Sequence, residues 1–340
     1  MMKVQSPMNH WFFRRSWCAC LILAALAVPA AAFAQTCLTA GDLDTGARAT
    51  LEASAQQFFR MSAAGDYAGL KAAAVPSLAS NFGGVETAVS QHKPDFTGAQ
   101  ATPTAIFVLE NSSKEPMARA EFYCGIFNSP ERTAFVVPNL APGRYAVVTE
   151  DVSGGRQPVK LTLVLQQQGQ RWSLAGYTVK PTQVAGQNMN WYLAQARQYK
   201  SRGQFMAAYL MYLEAWYLSQ PVEIEYTPQQ DKLADEMQAS HPSDWPSSSQ
   251  PMNLMAGGKT YRVTLIFPDA VGNDLDLIIK YQAATDISNT AAAFQDNMAV
   301  IKAMVTKYPE LRTAFAGVVA RAVDSSGRDY GSLLAMKDVK

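Results

Sequence analysis

Histidine and cysteine are scarce in this chain of 340 residues, with three and four copies. Net charge is nearly absent, at +1 near neutral pH. Past residue 34 no apolar run approaches the ~20 residues that a membrane-spanning helix needs. Each shortage excludes something. A near-neutral chain lacks the basic field that holds nucleic acid or an anionic membrane surface. So few Cys and His cannot build a zinc cluster with its own supporting shell. No complete motif implies any other cofactor.

What is present begins with a leader. Arg14 and Arg15 form a positive segment, Trp17 to Val28 a short apolar one, and Ala32-Phe33-Ala34 a small-residue cleavage pattern. Residues 1–34 therefore read as a signal peptide cut between Ala34 and Gln35. A retained N-terminal anchor is the alternative. Removal leaves 306 residues, 26 basic and 28 acidic, with two His and two Cys. The expected location is periplasmic or extracellular. There, Cys37 and Cys124 are expected to pair. The alternative is a buried Cys124 beside a free Cys37.

Four regions follow in the mature chain. Residues 45–64 read as a helix capped by Thr45, with Leu51, Ala55, Phe58 and Ser62 on one face. Asp66 caps a short second helix, and 77–100 show no clear period. Short strands then succeed one another, the clearest being Val159, Leu161, Leu163 and Leu165 in strict alternation. Residues 45–181 thus predict an α+β domain with an antiparallel sheet. Residues 189–240 predict a helical connector, its last helix capped by Thr227. Residues 241–258 are linker-like in composition, with Gly257-Gly258 as a hinge. Residues 259–340 predict a ββαββ domain.

Two resemblances can be placed on these regions. Gln56-Gln57-Phe58-Phe59, Ala63-Ala64-Gly65-Asp66-Tyr67 and Trp172 to Tyr177 make 45–181 resemble the NTF2-like (cone) fold. That resemblance implies a curved sheet wrapped on helices, with a pocket at its mouth. Asp66, Tyr67, Tyr123 and Tyr177 are its polar candidates. Ala196, Tyr199, Gly203, Phe205, Ala208, Tyr212 and Ala215 make 189–219 resemble a single tetratricopeptide-like helix pair. No second copy follows. A lone unit must lean on a neighbour to bury its apolar face.

Catalytic signatures are incomplete. Gly257-Gly258-Lys259-Thr260 is half a phosphate loop, and a strand rather than a helix follows it. Ser90-Gln91-His92-Lys93 matches the S-x-x-K of penicillin-binding enzymes, but the companion motifs fail and Pro94 is expected to break the helix. Asp269, Asn273, Asp274 and Asp276 read as a hairpin turn rather than a calcium loop, so no metal site is expected. His92 and His241 have no partner at a recognisable local spacing. Aromatics instead crowd the helix pair. Trp191, Tyr209, Tyr212 and Trp216 are the candidates for a face that recognises a protein, peptide or glycan, although packing in the core is the plainer use. The expectation is an exported, non-catalytic binding or scaffolding protein. The alternative is a small-molecule enzyme with an acid–base pocket in the cone-like domain.

Overall fold

The computed structural model describes residues 35–126 and 128–340. The leader and its cleavage site before Gln35 lie outside the described residues.

The first region runs β1 (Gln35–Thr39), α1 (Thr45–Ala64), α2 (Tyr67–Ala72), α3 (Pro76–Ala79), α4 (Gly83–Phe96) and then six strands. These are β2 (Gln100–Asn111), β3 (Met117–Cys124), β4 (Thr133–Leu140), β5 (Gly143–Ser153), β6 (Val159–Gln168) and β7 (Arg171–Pro181). Asp44, not Thr45, caps α1: its carboxylate accepts from the Ala47 amide at 2.8 Å. Asp and Thr both cap well, but the helix starts one residue earlier than periodicity suggests. Gly65 ends α1 with φ +70°, a conformation that a Cβ disfavours.

Two helices occupy the stretch expected to be irregular. Pro94 lies inside the last turn of α4, so Lys93 is helical after all. The proline forfeits only the bond its nitrogen would have given to Ser90, and the helix ends at Phe96. The sheet runs β1-β2-β5-β6-β7, antiparallel throughout. Val159, Leu161, Leu163 and Leu165 of β6 are fully buried against Phe58, Phe59 and Phe96. β3 and β4 form a second sheet. Cys37 of β1 is bonded to Cys124 of β3, with the Cα atoms 5.2 Å apart, tying the two sheets together.

The second region holds β8 (Gln183–Val184), β9 (Gln187–Asn188), α5 (Met189–Ser201), α6 (Phe205–Ser219), β10 (Glu225–Tyr226) and α7 (Pro228–Gln238). α5 and α6 turn back on each other at Gly203, whose φ is +71°. β10 returns to pair with β4. A reciprocal Thr227–Gln230 capping box opens α7.

The third region holds β11 (Met252–Ala256), β12 (Lys259–Val271), β13 (Asp274–Gln282), α8 (Thr290–Lys307), α9 (Leu311–Ala314), β14 (Gly317–Val323) and β15 (Asp329–Ala335). The expected linker thus contains a strand. Gly257 and Gly258, at φ +56° and +75°, form the tight β11–β12 turn and not a hinge. β11 precedes the expected ββαββ order and adds a fifth strand to its sheet. That sheet runs β11-β12-β13-β14-β15, with β13 and β14 parallel and joined by way of α8. Antiparallel pairing otherwise prevails, and the class is α+β. One core runs through α5, α6, α8 and this sheet, and Trp245 of the expected linker packs against it.

Candidate functional site

A cleft of about 1070 Å³ opens where four segments distant in sequence converge. The β5–β6 loop brings Arg156 and Gln157. The β8–β9 turn brings Ala185 and Gly186. α6 brings Glu214 and Tyr217, and the β12–β13 hairpin brings Phe267, Asp269 and Asn273.

Glu214 is the unusual group. It is the single charged residue of α6, a helix otherwise buried along most of its length. It is 7 % exposed, and its Oε2 is buried with no hydrogen-bond partner. An unpaired buried carboxylate costs several kcal/mol if it stays ionised, so such a group tends to hold its proton. Burial, with a contribution from nearby Asp269, pushes the Glu214 carboxyl up to about 7. Tyr217 lies one turn further on, 43 % exposed, with the Lys180 ammonium 5.2 Å from its ring centroid. Lys280 stands 5.9 Å over the Phe267 ring in the same way. Burial lowers the Lys180 pKa, which Glu223 partly offsets.

Arg156 is held from behind. Its Nε and Nη2 donate to Asp95 at 2.9 and 3.2 Å, and Asp95 is fully buried. Gly155 makes the approach possible, because a Cβ there would fall 1.9 Å from the Asp95 carbonyl oxygen. The Arg156 amide donates to the carbonyl of Pro94. His92 Nδ1 lies 2.8 Å from Oδ2 of the same carboxylate. His92 therefore does have a local partner, three residues on. It escapes a sequence reading that breaks α4 at Pro94. His241 sits elsewhere, edge-on to Tyr209 and Trp245.

The backbone of the cleft carries strain. Ala185 has φ +47° in the two-residue β8–β9 turn, a conformation that costs an alanine roughly 1–2 kcal/mol.

The aromatic candidates divide. Tyr212 is fully buried, with its hydroxyl donating to Glu236 at 3.2 Å, and Tyr209 is buried against His241 and Trp245. They fill the core because α6 is covered on nearly every side. Trp216 is half-buried. Trp191, on α5, is 38 % exposed and packs edge-on against Tyr192. The four do not make one open face. Tyr217 is the aromatic of α6 that reaches the cleft.

The cone candidates do not converge either. Asp66 is spent on capping α2 through the Gly69 amide. Tyr67 lines a separate depression beside α4. Tyr123 is exposed on β3, donating to Glu121 at 2.8 Å. Tyr177 donates to Ser62 at 2.9 Å, and burial raises its pKa. The group that sequence reasoning missed there is Glu150. It sits on the inward face of β5 with Ala146, Val148 and Val152. Gln56 donates to its Oε1 at 2.8 Å, while Oε2 is buried without a partner. Burial pushes its carboxyl up to about 7 against the pull of Gln56. The period of two along β5 was the available signal for it. For Glu214 the signal was one acid inside an apolar helix.

No family model, curated protein or solved structure matches this chain. The likenesses to a cone fold and to a tetratricopeptide pair rest on the chain's own residues.

Proposed function

We propose that the protein is an exported binding protein that works without catalysis, and that the Glu214 cleft takes its ligand. The observation that carries this reading is Glu214 itself. Glu214 lines a large cleft as a carboxyl more than nine-tenths buried and incompletely hydrogen-bonded, and a ligand that donates to that carboxyl offsets part of its desolvation. The Cys37–Cys124 disulfide fits an oxidising compartment. No described helix is long and apolar enough to cross a membrane. The shifted groups lining the cleft lack a nucleophile and base within hydrogen-bond reach of each other, which favours binding over turnover.

The test is thermal unfolding of the mature protein across a small-molecule library, repeated with Glu214→Gln. Ligands of the cleft raise the melting temperature of the wild type and not of the variant. Hits that stabilise both proteins equally would remove the cleft from the reading.

A second reading keeps one specific observation. Glu150, buried beside Gln56 with its carboxyl near 7, has the properties of a general acid or base. An enzyme of the cone-like region would work through it. Turnover of a small hydrophobic substrate, abolished by Glu150→Gln while the fold persists, would favour that reading.

A further inference from the structure

We infer that the cleft binds a neutral saccharide, its hydroxyls shared between Glu214 and Asp269 on one side and Arg156 on the other, with the Tyr217 ring as apolar platform. This rests on the cleft being the ligand site, and it concerns what chemistry the cleft admits.

Charge is the first argument. An anionic ligand would lie against the Asp269 carboxylate and, having no proton to give, would leave the Glu214 carboxyl without a donor. A cationic ligand would be drawn to aromatic faces. Here Lys180 already lies over one face of Tyr217 and Lys280 over one face of Phe267, so a cation on the remaining face would meet a like charge across the ring. Arg156 adds a further positive group to the wall. Both signs are present and both are repelled, so a net charge of either kind is disfavoured.

Hydrogen-bonding capacity is the second. A hydroxyl donates one bond and accepts two. It can give its proton to Glu214 and accept from the Arg156 guanidinium within one ligand. Arg156, Gln157, Gln183, Asp269 and Asn273 are planar groups with paired donors or acceptors, suited to adjacent hydroxyls. Glu214 lines the cleft with its carboxyl incompletely hydrogen-bonded, and a hydroxyl can donate to that carboxyl without adding a charge.

Shape is the third. A sugar ring has apolar C–H faces as well as a polar rim, and an exposed tyrosine ring suits the former. Tyr217 is 43 % exposed where its neighbours Tyr209 and Tyr212 are buried. A cleft of about 1070 Å³ is at the upper end for small ligands and leaves room for more than one sugar ring.

The experiment is calorimetric titration of the mature, disulfide-bonded protein with four sets of probes. These are neutral di- and trisaccharides (maltose, maltotriose, cellobiose), N,N′-diacetylchitobiose, 1,4-diaminobutane and glutarate. At least one saccharide binds, with a dissociation constant below about 1 mM. Glu214→Gln, isosteric and shown to be folded by a cooperative melting transition, weakens it by about ten-fold or more. Tyr217→Ala, at an exposed ring, does the same, and Leu333→Ala on distant β15 leaves it unchanged. Binding of the diamine or the diacid, lost in Glu214→Gln while every saccharide is silent, overturns the saccharide and leaves the cleft as the ligand site. Saccharide binding untouched by both cleft variants overturns the site as well. Silence from every probe overturns the inference.

Discussion

Glu150 and Glu214 share one physical condition. Each carries a carboxylate oxygen buried with no partner, and each has its carboxyl pushed up to about 7, chiefly by burial. In the unfolded chain a glutamate titrates near 4.5. Between about 4.5 and 7 the native state therefore binds more protons than the unfolded state. The stability these groups lend is full at low pH and falls as pH rises through that window. For fully buried Glu150 the swing is on the order of 3 kcal/mol. The melting temperature at pH 5 should thus exceed that at pH 8, and Glu150→Gln should narrow the difference by raising the pH 8 value. A variant with the wild-type pH profile would show that Glu150 is not the titrating group. Asp95 is the contrasting residue, since its buried carboxylate is fully used by His92, Arg156 and Gln157. Asp95→Ala removes the hub and is expected to cost about 3 kcal/mol. It should also loosen Arg156 and weaken ligand binding, which a denaturant midpoint and a titration would report separately.

Among the elements, the turns decide more than the helices. Ala185 occupies a left-handed position at the lip of the cleft, where glycine fits without strain. Ala185→Gly should raise stability by roughly 0.5–1 kcal/mol, read as a higher denaturant midpoint. A lower midpoint would mean that the methyl group's packing outweighs its strain. Gly155 is the reverse case. Gly155→Ala drives a methyl into the Asp95 backbone and should destabilise clearly. How legible an element was depended on how one-sided its burial is. β6 alternates because Val159, Leu161, Leu163 and Leu165 share the face against the helices, while Lys160, Thr162 and Gln166 mark the other, so its register could be read directly. α7 declared itself through its expected cap, Thr227, and the structure adds the reciprocal bond from Gln230. β11 was hidden because Met-Asn-Leu-Met-Ala offers only Met252 and Leu254 inward, straight after a Ser/Pro-rich stretch. α4 was hidden because Pro94 reads as a breaker, although a last turn tolerates it.

Across the whole molecule, the disulfide closes a loop of sequence separation 87 and joins two sheets that share no strand. Chain entropy alone assigns such a crosslink ~4–5 kcal/mol. Reduction under otherwise native conditions should lower the denaturant midpoint accordingly, and an unchanged midpoint would mean that β1 is held by pairing alone. The α+β class and the pairing of Cys37 with Cys124 were both visible in the sequence. The cleft was not, because no local pattern links Arg156, Ala185, Glu214 and Asp269. Tyr209 and Tyr212 looked like binding residues for the same reason. Sequence shows that a helix is aromatic but not how many of its sides are covered.

Native mass spectrometry of the protein recovered from its own host reaches the ligand question most directly, run beside Glu214→Gln. The wild type is expected to carry a small adduct of uncharged mass that the variant lacks, on a chain two hydrogens lighter for its disulfide. Wild type and variant of equal occupancy, both bare or both carrying the same adduct, would contradict a ligand site built on Glu214.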